Sequence, residues 1–239
     1  MSEDEEDIEF TPPAEERVRR RAWAISAVIC RAFIETFEDP AEAATLHSRV
    51  LSWIDAMNLR PEFEAKELAT IDAKVGTLDQ QAVVNGTWRS EGLVVLAWAL
   101  HAAEIPPHDQ MVDPSAIANS VFFLADDAMD RASELTLRGD DELDKFSEVQ
   151  LALHWRIRDF SLRPQAMDFR SFPDKSWFGP LSIEGISLAE DDLAIDGIPI
   201  VNAPEDRFRQ CQSIASERHQ AINWLRGWHE IYSEVDTST

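Results

Sequence analysis

The stretch TWRSEGLVVLAWAL, residues 87–100, constrains the fold more than any other part of the chain. From Gly92 to Leu100 every residue is apolar or small, so a helix here has no polar face to offer water and belongs in a core. Yet Arg89 and Glu91 stand at its head. Two positions apart on a helix, they project about 200° from each other and cannot pair directly. Each needs a partner on another element. The opposite charges in similarly apolar settings are Asp159 and Glu217 for Arg89, and Arg158 and Arg218 for Glu91. At least one inter-helix pair is expected to be buried, and truncating Arg89 would then strand a carboxylate at a cost of about 3–5 kcal/mol.

The rest of the chain reads as further helices. Val18, Ala22, Ile25, Ile29, Ala32 and Phe33 recur at helical steps from Ala14 to the Asp39-Pro40 boundary. Leu46, Val50, Trp53, Ile54 and Met57 make an apolar stripe over 41–58, and Pro61 is expected to open a third helix reaching Ala73. TLDQ at 77–80 reads as a capping box for the helix carrying the opening stretch, which should reach about Ala103. Shorter helices are expected over 114–124 and 126–137. A long one follows, capped by Asp140 or Asp141, with Leu143, Phe146, Val149, Leu153 and Ile157 as its buried stripe. DLAIDGIPIV then reads as a hairpin turning at Asp196-Gly197, with Pro199 marking an edge strand. A last helix should run from Pro204 to about Trp228. The fold class is mostly α: a single helical domain over 14–236, with a small β-hairpin before the C-terminal helix, preceded by a disordered acidic tail over 1–13.

Charge narrows the function. Forty-five Asp and Glu against 22 Lys and Arg give a formal net charge of −23, which repels nucleic-acid phosphates and anionic membranes and attracts a basic protein partner. The longest apolar run is far short of the roughly 20 residues that span a bilayer, and the acidic N-terminus does not resemble a signal peptide, so a cytoplasmic location is expected. Cys30 and Cys211 lie far apart and outside any CxxC, which disfavours a zinc site or a disulfide framework. No metal and no cofactor is expected; His108, Asp109 and Asp113 in PHDQMVD make an unconvincing ligand set. There is no nucleophile elbow, phosphate-binding glycine loop or dinucleotide fingerprint.

Three segments combine Trp with Arg and a carboxylate: WRSEG (88–92), HWRIRD (154–159) and ERHQAINWL (217–225). Their candidate cluster is Arg89, Glu91, His154, Arg158, Asp159, Glu217, Arg218 and His219. One reading is structural, with charge pairs fixing how helices meet. The other is functional, with arginines holding an anion beside His154 or His219 as acid or base. A non-catalytic binding protein, inhibitor-like or immunity-like toward a basic partner, is the first reading of function. An enzyme of unrecognised type built on the cluster is the alternative.

These segments, with their order WR-x-E-x-L…WAL, HW-x-x-RD, DL-x-x-x-G-x-P and ER-x-x-A-x-x-W, resemble the bacterial family known as domain of unknown function 4272. The likeness runs over roughly residues 14–236. It implies a shared fold and carries no catalytic role with it.

Overall fold

The computed structural model describes residues 11–172, 175 and 181–238. Most of the expected acidic tail and part of SFPDKSWFG lie outside the described residues. Of the tail, Thr11 and Pro12 run close past Gly227, and Pro13 is buried.

Eight α-helices occur among the described residues. Helix α1 (Glu15–Ile34) buries Val18, Ala22, Ile25 and Ile29 as its periodicity predicts, with Glu15 and Glu16 in the first turn where the helix dipole favours anions. Phe33, assigned to the same stripe, stays 37% exposed. Helix α2 (Pro40–Ala56) starts on Asp39, whose carboxylate accepts from Ala41 N. Pro61 does not open the third helix. It sits in a 3-10 turn over Arg60–Glu62, the chain extends at Phe63, and α3 (Ala65–Asp72) begins from a reciprocal capping box between Glu64 and Glu67.

Helix α4 (Gln80–Ala99) is capped by Asp79, which accepts from Ala82 N, and not by Thr77, whose hydroxyl donates to the Lys74 carbonyl in the preceding turn. It stops short of Ala103 because His101 turns left-handed at φ 56°. Helix α5 (Pro114–Ser120) is likewise shorter than expected: Phe122 and Leu124 take φ 63° and 62°, conformations that interrupt a right-handed helix. Helix α6 is the brief Ala128–Ala132. Helix α7 (Asp140–Leu162) has Gly139 as its cap position without a side-chain hydrogen bond, so Asp140 and Asp141 act on the dipole from the first turn instead. Helix α8 spans Glu205–Leu225.

The expected hairpin is part of a three-stranded antiparallel sheet in the order β1 (Leu188–Ala189), β2 (Asp192–Ile195), β3 (Ile198–Pro199). Ile195 pairs with Ile198 across Asp196 (φ 52°) and Gly197 (φ 78°), the positive angles of a tight hairpin turn. Pro199 lies on an edge strand, as its missing N–H requires. A second turn at Glu190 (φ 51°) and Asp191 (φ 64°) links β1 to β2. The carboxylate run 190–192 thus ends with Asp192 buried on a strand.

Helix α4 lies between α1 and α8, and α8 also packs on α7. The apolar run Leu93–Ala97 is fully buried there. One core unites α1, α2, α4 and the C-terminal half of α8; a second joins α7, the sheet and Cys211 of α8 through Leu153, Ile157, Phe169 and Leu193. At Gly92 an added Cβ would overlap the hydroxyl of Tyr232, so glycine permits the C-terminal segment to close on α4.

Candidate functional site: a cleft floored by Arg89 and Tyr232

The charged pair in the middle of α4 divides between two partners, both supplied by α8. Glu91 faces Arg218. Its Oε2 accepts from Arg218 Nε (3.0 Å) and Nη2 (2.8 Å), and its Oε1 accepts from Val112 N (2.9 Å). The remaining guanidinium protons go to the carbonyls of Pro106 (2.9 Å), Pro107 (3.2 Å) and Gln110 (2.9 Å). Both side chains are about 1–2% exposed. Every donor of Arg218 is met, which is the condition under which a buried ion pair survives desolvation. The pair also ties down the proline-rich segment after α4. It is a latch with no face left for a ligand.

Arg89 faces Glu217 at 3.6 Å, too long for a hydrogen bond, with the two side chains 23% and 20% exposed. Arg89 also lies over the ring of Tyr232, 5.7 Å from its centroid, and Arg21 lies over the same ring at 4.8 Å. Arg89 Nη1, Glu217 Oε2, Tyr232 Oη and Arg21 Nε are all buried without a hydrogen-bond partner. Burial pushes the Glu217 carboxyl above its ordinary range against the opposing pull of Arg89, and pushes the Tyr232 phenol up as well, keeping it a hydrogen-bond donor. Above this group opens a cleft of about 790 Å³ bounded by α1, the Arg60–Glu67 segment, α4 and the C-terminal turn around Tyr232. Arg17, Arg21, Asn85, Arg89, Trp224 and Tyr232 contribute to its lining.

Asp159 and Arg158 do not join Arg89 and Glu91. Asp159 is 3.3 Å from Arg156 Nη1 and is bonded to Arg163 on its own helix, and Arg158 lines a separate cavity of about 280 Å³ with His154, Ser216 and Thr237. The charge on α7 that does reach across the fold is Arg156. Fully buried, it meets Asp192 through Nε (2.7 Å) and Nη2 (2.6 Å) and clamps the sheet to α7. Sequence reading passed over Arg156 although it lies three residues after Leu153 and one before Ile157, on the buried stripe. Arg21 was missed in the same way: between Val18 and Ile25 of the α1 stripe, it bonds Glu67 through Nη1 at 2.9 Å.

His154 and His219 meet each other, at 2.9 Å between their Nδ1 atoms. Asn223 Nδ2 donates to His219 Nε2 (3.1 Å) and to the Asp236 carbonyl (3.2 Å). The bare nitrogen of His219 is therefore Nε2; its Nδ1–H donates to His154 Nδ1, and His154 carries its proton on Nε2. Burial lowers both rings, His154 to about 4 and His219 to about 3, with Arg158 adding to the first and His154 to the second.

No group of three or more His, Cys, Asp or Glu side chains is placed to hold a metal ion among the described residues. His108 instead bonds the Ala194 carbonyl (2.7 Å), Asp109 accepts from Asp196 N (2.8 Å), and Asp113 caps α5. No helix among the described residues is long and apolar enough to cross a membrane.

No curated protein and no solved structure matches the chain. Residues 1–170 match a family described as a domain of unknown function (DUF4272), a stretch that holds α1–α7 and leaves α8, with Glu217 and Arg218, beyond it. With well over half its length matched, the chain belongs to the DUF4272 family.

Proposed function

We propose that the protein is a non-catalytic binding protein of the cytoplasm, and that a segment of a basic protein partner seats in the cleft above Arg89 and Tyr232. One observation carries the reading. Of the six buried side-chain polar atoms without a hydrogen-bond partner among the described residues, three belong to Arg21, Arg89 and Tyr232, which line this one cavity, and a fourth to Glu217 behind Arg89. Buried polar groups are normally met, and unmet ones gathered at a cavity floor favour a ligand that meets them. Donors at Arg89 and Tyr232 suit the C=O groups of a peptide backbone. The net charge of −23 adds long-range attraction for a basic protein and speeds encounter.

Immobilised protein incubated with extract of its own cells tests this. A basic protein should be retained at low salt and released as salt rises. Asn85→Trp, which fills the cleft from an exposed helical position, should lose that protein while keeping the wild-type melting temperature. Equal retention by Asn85→Trp removes the cleft from the reading. Retention that ignores salt removes the basic partner.

The His154–His219 pair favours a second reading as an enzyme, since His154 borders a cavity with Arg158, Gln212 and Ser216. A substrate turned over by the wild type and not by a folded His154→Gln variant would put this reading first.

A further inference from the structure

A separate cavity of about 820 Å³ lies between α1, α2 and the segment joining α5 to α6, sharing no lining residue with the Arg89 cleft. Ile29, Phe33, Phe37, Leu46, Phe122 and Phe123 supply large apolar side chains to its wall. Its size falls in the range of small-molecule sites, roughly 300–1,000 Å³. Two features set it apart from a packing gap. Phe33 is 37% exposed on a helix that otherwise buries its apolar stripe. Phe122 and Leu124 both hold left-handed backbone angles at the wall, a strained arrangement for bulky residues, and such strain gathers at ligand clamps.

Besides Ser115 and Asn119, four polar or ionisable side chains line this cavity. The Ser26 hydroxyl is already spent on the Ala22 carbonyl (2.7 Å). Burial pushes the Cys30 thiol up to about 11, so it stays neutral. Two cations remain, Arg49 and Arg131, both exposed at the rim. Arg49 donates to the Leu124 carbonyl (3.0 Å), and Arg131 lies over the Phe122 ring at 4.0 Å. Asp127 stands 3.8 Å from Arg131, beyond hydrogen-bond reach, and both of these side chains are more than half exposed, so their pairing is weak.

We propose that this cavity binds a lipophilic carboxylate, with its hydrocarbon tail against Phe33, Phe37 and Phe122 and its carboxylate between Arg49 and Arg131. An apolar chamber under a pair of guanidinium groups is complementary to an amphiphile with a single anionic, planar head. A neutral lipophile would gain nothing from the two positive charges, and a cationic one would be repelled by them.

Calorimetric titration of the intact chain separates these ligands, using dodecanoate, dodecanol and dodecyltrimethylammonium below their aggregation concentrations. Dodecanoate should bind about tenfold more tightly than dodecanol, and the cation more weakly than either. Arg49→Gln combined with Arg131→Gln should erase that preference and leave dodecanol binding unchanged. Ala118→Trp, or Leu46→Trp if the first variant melts early, should abolish binding of all three by filling the cavity. The proposal is overturned if dodecanoate binds no better than dodecanol. It is equally overturned if dodecanoate binding survives both cavity-filling variants, or if none of the three ligands binds.

Discussion

At the scale of single residues, burial decides what each charge is worth. Glu91 and Arg218 are almost wholly enclosed and satisfy each other together with four backbone groups of residues 106–112. Arg218→Ala should therefore destabilise by about 3–5 kcal/mol, because it leaves the Glu91 carboxylate buried and unpaired. A double-mutant cycle with Glu91→Ala, read by urea unfolding, should show strong coupling, and simple additivity would refute the latch. The cost first assigned to Arg89 belongs to this neighbouring pair. Arg89 and Glu217 are separated by 3.6 Å, share no hydrogen bond and are about a fifth exposed, so Arg89→Ala should cost clearly less than Arg218→Ala in the same measurement. A loss as large as that of Arg218→Ala would show that water does not reach the cleft floor.

At the scale of elements, two glycines decide whether secondary structure closes into its observed shape. Gly197 sits at φ 78° in the turn between β2 and β3, so Gly197→Val should cost on the order of 1 kcal/mol or more through backbone strain, seen as a lower thermal midpoint. Gly92 on α4 lies against the Tyr232 hydroxyl. Gly92→Ala should displace the C-terminal turn and cost about 1–3 kcal/mol by overpacking, even though alanine is the better helix former. A stabilised Gly92→Ala protein would mean that the close approach of α4 to Tyr232 contributes nothing.

At the scale of the whole molecule, the α7–α8 contact makes stability depend on pH. His154 and His219 titrate at about 4 and about 3 in the fold, below the 6.5 of a free imidazole. The unfolded chain thus takes up protons that the folded pair refuses. Stability should be full above pH 6.5 and fall as pH drops from there toward 4 and then 3, by about 2 kcal/mol per ring on reaching pH 5. Urea unfolding between pH 7.5 and 5 should show this slope, and a folded His154→Phe, His219→Leu variant should flatten it. Much of this architecture was legible beforehand, since local chemistry carries it. Apolar residues at steps of three and four placed α1, α2 and α7, an unbroken apolar run placed α4, and Asp196-Gly197 placed the hairpin turn, because helical pitch and the sterics of positive φ act within a few residues. Glu217 and Arg218 were rightly named as possible partners for Arg89 and Glu91 because lone charges in apolar helices need opposite charges. Which partner each took, and whether water reached it, depended on how α8 crosses α4. Arg156, rather than Arg158, became the buried arginine of α7, because β2 brings it Asp192 as a counter-charge from far along the chain. Helix caps shifted for a similar reason: Glu67 serves both the Glu64 N–H and Arg21 of another helix, and Phe122 and Leu124 end α5 where their side chains wall a cavity. Periodicity reports which side of a helix is buried; only the tertiary structure determines what that side meets.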